Sequence, residues 1–204
     1  MLEVVLATGN GQVAMPDRML RLAGYFALQA DMLVLVSSGL LALRPTSDGA
    51  VLRVIQLDAL VAVTVTFLVH LIVLRPVMHL SGWDAVADVA LHYVVPALMV
   101  GGWLLFGPRR RIELRVGLLA LIWPAAWYVW TLLYGTANDF YPYPFVDVRI
   151  HGYEGVLVRA VAVTGVLLGA GIGAWILDRR LNITAAKSWL LPWQRADDVV
   201  RPSS

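Results

Sequence analysis

Apolar residues run along this chain in long blocks instead of alternating with polar ones. A block of about 20 apolar residues is the length of helix that crosses a bilayer core. Five such blocks are present, and they predict an all-α fold: a polytopic integral membrane bundle of about five transmembrane helices. The predicted spans are roughly Leu22 to Leu43, Val51 to Leu74, Trp83 to Phe106, Leu114 to Tyr134 and Gly155 to Leu177. Pro45, Pro76 and Pro108 follow the first three, where proline stops a helix. Pro96 and Pro124 fall inside spans, and the backbone donor each one lacks predicts a kink. The chain thus divides into an external N-terminal segment (residues 1–21), a transmembrane domain (22–181) and a cytoplasmic tail (182–204).

Composition agrees with this division. Of 204 residues, 59% are hydrophobic and 15% charged, and the mean hydropathy is +0.72. Soluble domains carry about 25% charged residues. No basic stripe interleaved with aromatics is present, which argues against nucleic-acid binding. The absence of cysteine excludes disulfides, thiolate metal sites and a cysteine nucleophile.

Orientation follows from the placement of lysine and arginine. The loop Arg109 to Arg115 is strongly basic, as are Arg179, Arg180 and Lys187, and both regions read as cytoplasmic. The loop Gly135 to Tyr153 sets one arginine against Asp139 and Asp147 and reads as external. These assignments give a multi-pass protein of the cell membrane with a cytoplasmic C-terminus. Trp189 and Trp193 in the tail suit the membrane interface.

Ionisable groups inside a bilayer are costly and usually serve a function. His92 lies about nine residues below the outer end of its span, so roughly 13 Å deep, with Asp88 and Asp84 spaced behind it at intervals of four. An aspartate one turn from an imidazole can fix its tautomer and raise its basicity, as a base–orienter pair requires. Gln29, Asp31 and Thr66 fall at similar depths in other spans, His70 lies one turn nearer the outer surface and Arg159 enters from the outer side, which predicts a shared polar cavity in the outer half of the bundle. Asp31 and Arg159 could form a buried ion pair, and Thr64 and Thr66 could bond backbone carbonyls. His79 and His151 fall in loops without ligand spacing, so neither a metal site nor a cofactor is expected. The loop Asn138 to Asp147, containing Tyr143, reads either as a lid or as an aromatic belt around a rigid turn.

The strings Leu91-His-Tyr-Val-Val-Pro-Ala-Leu98, Gly-Trp-Leu-Leu-Phe-Gly-Pro ending at Pro108, and Tyr141-Pro-Tyr-Pro-Phe-Val-Asp147 resemble the androgen-induced membrane-protein family, in its bacterial branch. The resemblance covers about Tyr25 to Arg180. It implies a six-helix bundle, here lacking its first helix, with residues 1–21 as a remnant. Animal members hydrolyse fatty acid esters of hydroxy fatty acids with a threonine nucleophile and a histidine. The resemblance puts His92 on the histidine position and Ala27 on that of the threonine, where bacterial relatives often read Phe-Thr-Ile-Gln-Ser-Asn. Tyr93 and Arg159 also depart from a common threonine and a common asparagine.

Two main expectations follow. One is a membrane-embedded hydrolase of fatty acyl esters, with His92 as base, Asp88 as its orienter, and Thr66 or a His92-activated water as nucleophile. Gln29, Asp31, His70, Tyr143 and Arg159 would then hold the substrate. The other is a lipid-binding membrane protein that has kept the cavity without the chemistry. A proton or small-solute carrier is a weaker third. In each of the first two the partners are membrane lipids.

Overall fold

The computed structural model describes residues 15–44, 47–107 and 109–181. Pro45, Pro108, the tail tryptophans and Lys187 lie outside these residues. Among the described residues the fold is all-α, and five helices are long and apolar enough to cross a membrane.

A short helix, α1 (Met15–Ala23), precedes the first long one, α2 (Phe26–Leu43). The first span therefore starts at Phe26 and not at Leu22, because the chain turns at Gly24, whose N–H bonds the Leu20 carbonyl at 3.0 Å. The second span is α3 (Ala50–Val69), extended by a π-helical turn over His70–Leu74 and a 3₁₀ turn over Arg75–Val77. The third consists of α4 (Gly82–Val89), a second π turn over Ala90–Val94, and α5 (Val95–Phe106). The fourth is broken at Leu121 into α6 (Leu114–Ala120) and α7 (Ile122–Asn138). The fifth, α8 (Val148–Arg180), starts seven residues before the expected Gly155. His151 consequently sits in a helix and not in a loop.

Both internal prolines act where the sequence predicts. Proline cannot donate to the carbonyl four residues back, so the ladder must adjust there. Before Pro96 the adjustment is the π turn, and before Pro124 it is the break at Leu121. The fifth helix bends at Gly152, whose φ of 63° is a left-handed conformation that favours glycine.

Helix α3 is the axis of the bundle and packs against α2, α5, α6 and α8. Lipid chains are as apolar as leucine, so helices in a bilayer associate through close packing and not through water exclusion. Small residues allow that approach: Ala30 and Ala62 are at most 1% exposed where α2 and α3 meet. The outward faces remain apolar, as at Leu98, Leu105, Leu133, Leu157 and Val161. Such a belt far exceeds the isolated patches of soluble monomers and suits contact with lipid.

Charges gather at one end of the bundle. Arg53 pairs with Asp48 at 2.8 Å and Glu113 at 3.0 Å, and buried Asp178 accepts the Ile112 N–H at 3.0 Å. The loops leading into α3 and α6 thus share one side with the end of α8, as alternating spans require. His70 lies about 25 Å from Arg53 along α3, toward the other end.

Candidate functional site

The two π turns bring their histidines face to face. A π turn carries one residue more than an α turn and widens the helix locally, and such bulges recur at functional sites. His70 opens the first and His92 lies within the second. Their rings stack with centroids 4.1 Å apart and planes 20° from parallel. Asp88, from the last turn of α4, reaches both: Oδ2 lies 3.2 Å from His70 Nε2 and Oδ1 lies 3.3 Å from His92 Nδ1. His70, His92 and Asp88 are only 0%, 3% and 6% exposed.

These contacts lack hydrogen-bond geometry. Among the described residues neither His70 nitrogen has a hydrogen-bond partner, nor do Asp88 Oδ1 and His92 Nε2. His92 Nδ1 lies instead 3.2 Å from the Asp88 backbone carbonyl. With the proton on Nδ1, that carbonyl accepts it and Nε2 keeps a free lone pair. Asp88 is therefore shared by two imidazoles and is not a private orienter of His92.

Beside the histidines is a cavity of about 430 Å³. The start of α2, the end of α3, α7, α8 and the loop after α7 enclose it. Its wall is almost wholly apolar, and its few polar contributors include Thr66, His70, His92 and Arg159. The buried Thr66 hydroxyl has no hydrogen-bond partner among the described residues, whereas Thr64 bonds the Leu60 carbonyl at 2.7 Å. Thr64 thus follows the backbone-bonding expectation and Thr66 does not.

The loop forms part of the wall. Tyr143 is buried, and its hydroxyl accepts the Ala27 N–H at 3.1 Å. Its ring stacks on Phe145 at 5.1 Å and meets Tyr25 edge-on at 5.6 Å. Burial pushes the Tyr143 phenol well above its ordinary value, so it stays neutral. The segment is anchored further by Asp147, which accepts the Arg149 N–H at 2.9 Å and pairs with that guanidinium at 2.7 Å.

Of the residues predicted for the site, Thr66, His70, His92, Tyr143 and Arg159 line this cavity. Asp88 and Asp31 border a smaller pocket of about 90 Å³ that also touches Ala27 and His92. Gln29 is not in the cavity wall: its amide donates to the Ala23 carbonyl at 2.7 Å and accepts from Trp123 Nε1 at 3.0 Å. The expected Asp31–Arg159 ion pair does not form, since Arg159 donates to the Gly155 carbonyl one turn back at 2.9 Å. His70 is more than the wall residue expected from the sequence. Its convergence on Asp88 depends on how two neighbouring helices pack, and the faint signal for it was an ionisable residue near the depth of His92.

No family model, curated protein or solved structure matches the chain. The geometry by itself offers an imidazole nitrogen without a partner, a carboxylate in contact with two imidazoles, and an apolar chamber large enough for a segment of acyl chain.

Proposed function

We propose that the chain is an integral membrane hydrolase of fatty acyl esters, acting through water activated at the histidine pair. The observation that carries this reading is His92, whose buried ring borders an apolar cavity and whose Nε2 has no hydrogen-bond partner among the described residues, while Asp88 touches both its ring and that of His70. His92 takes a proton from water. The water oxygen bonds to the acyl carbon, the ester C–O bond breaks, and the proton passes to the departing alkoxide, giving acid and alcohol. Arg159 faces the same chamber and holds a carboxylate or polarises the carbonyl. The resemblance to the androgen-induced family supports the substrate class. The basic loops favour a cytoplasmic C-terminus, with the cavity toward the outer face of the cell membrane.

A second reading, lipid binding without turnover, is favoured by one observation. Ala27 borders the cavity where the resemblance expects a threonine, and alanine offers no nucleophilic atom. Ester turnover by the purified chain in nanodiscs, beside His92→Ala, separates the two. Hydrolysis lost in the variant supports the enzyme. Folded wild-type protein that retains acyl lipid but releases no acid leaves the binding protein.

A further inference from the structure

We propose that His70, Asp88 and His92 together bind a divalent transition-metal ion, zinc being the best match. Each residue offers one ligand atom, and the three atoms lie within 4.8 Å of one another. Three points so spaced have a common centre no more than about 2.8 Å from each, while zinc bonds are about 2.0–2.2 Å. Distance alone thus leaves each ligand atom within about an ångström of a bond, and the remaining adjustment is in the orientation of the rings. The 3.2 Å between His70 Nε2 and Asp88 Oδ2 already matches the edge of a tetrahedron with such bonds, roughly 3.3 Å.

The hydrogen bonding points the same way. Charge-assisted N–H···O bonds are about 2.7–2.9 Å long. The two carboxylate–imidazole contacts are longer, at 3.2 and 3.3 Å, and both His70 nitrogens, Asp88 Oδ1 and His92 Nε2 lack hydrogen-bond partners among the described residues although all three side chains are at least nine-tenths buried. Buried polar groups are normally satisfied, and unsatisfied ones call for an explanation such as an ion. The Asp88 carbonyl 3.2 Å from His92 Nδ1 would be the outer-shell contact that orients the ring if Nε2 ligates. Convergence on one ion requires the stacked rings to turn apart about their side-chain torsions.

Two imidazoles and one carboxylate leave a fourth position open, the arrangement of catalytic zinc sites. Zinc brings the pKa of bound water near 7, so the ion would supply hydroxide to a site whose position 27 lacks a hydroxyl. Metal binding stands on the cluster's geometry alone; the use of its hydroxide rests on the hydrolase reading. In that case His92 would be a ligand in place of the general base, and the ion would supply the hydroxide that adds to the acyl carbon as the ester C–O bond breaks, the alkoxide taking its proton from solvent.

The test uses the full chain in detergent, stripped with chelator, reloaded with Zn²⁺ alone, desalted and analysed for metal by mass spectrometry. Wild type and the loop variant His79→Ala are expected to retain about one equivalent, and His70→Ala and Asp88→Asn at least tenfold less. Asp88→Asn preserves shape, and size-exclusion profiles with helical circular dichroism exclude misfolding as the cause. Co²⁺ loading is expected to give the visible absorption of a four-coordinate site in wild type and not in Asp88→Asn. Wild type retaining under a tenth of an equivalent overturns the proposal, as does equal retention by both site variants. Ester turnover on the same samples keeps the two readings apart. Metal retained without turnover supports the site and counts against the hydrolase; turnover in stripped protein that cannot reload does the reverse.

Discussion

The phenol oxygen of Tyr143 accepts the Ala27 N–H at 3.1 Å, joining the loop after α7 to the first turn of α2. The first four N–H groups of a helix lack intrahelical partners, and Tyr25 at the N-cap makes no side-chain bond to them. Tyr143→Phe keeps the ring and removes the acceptor. A buried donor left unpaired costs about 1–3 kcal/mol. The variant should unfold at lower temperature in detergent and exchange its loop amides faster; an unchanged midpoint would mean that the bond contributes nothing.

Gly135 lies under the Tyr141 ring, where a Cβ would come within 2.1 Å of a ring carbon. Gly135→Ala is therefore expected to destabilise by about 1–3 kcal/mol through overpacking. Gly169 is also helical but has nothing within 4 Å of a Cβ. There the alanine should stabilise by about 0.5–1 kcal/mol through helix propensity. Opposite shifts in thermal midpoint check the pair, and shifts of the same sign would contradict the packing of the loop on α7.

Ala160 on α8 borders the large cavity, well along the helix from the loop. Ala160→Trp should fill much of the chamber while leaving the histidine cluster in place. Native mass spectrometry is expected to show several-fold less co-purified acyl lipid. Undiminished lipid would mean that the chamber is not where the chain is held.

The Arg149 guanidinium beside Asp147 holds its carboxyl below the usual carboxylate range. A depressed folded pKa gives stability that is fully present above the unfolded value, about 3.9, and is lost as pH falls through the lower folded value. Wild type should exceed Asp147→Asn in thermal midpoint by a constant margin from about pH 8 to 5, and the margin should shrink below about pH 4. A gap that instead closes near neutrality would rule out the carboxylate as its source.

Much of the fold was legible because membrane helices announce themselves by length and composition. The pattern failed at the ends, where local chemistry decides. Gly24 delays α2, and Asp147 caps α8 ahead of its apolar stretch. The Asp88–His92 relation could be read from spacing along one helix, although its detail could not, since the backbone carbonyl and not the carboxylate takes the closer bonding geometry. His70 belongs to a different helix, and the π turns that aim both rings arise from backbone accommodation that no periodicity encodes. Gln29 shows the reverse failure. Its depth suggested a site residue, yet two local partners occupy its amide.

The large cavity reaches the outside through its flank. Val129 and Leu168, both in its wall, are 56% and 43% exposed on the apolar face of the bundle. A molecule arriving by that flank comes from among the surrounding acyl chains and never passes through water. Its effective concentration is then a mole fraction within a two-dimensional solvent, so diluting it with inert lipid at constant total amount should lower occupancy, whereas diluting the whole suspension with buffer should not.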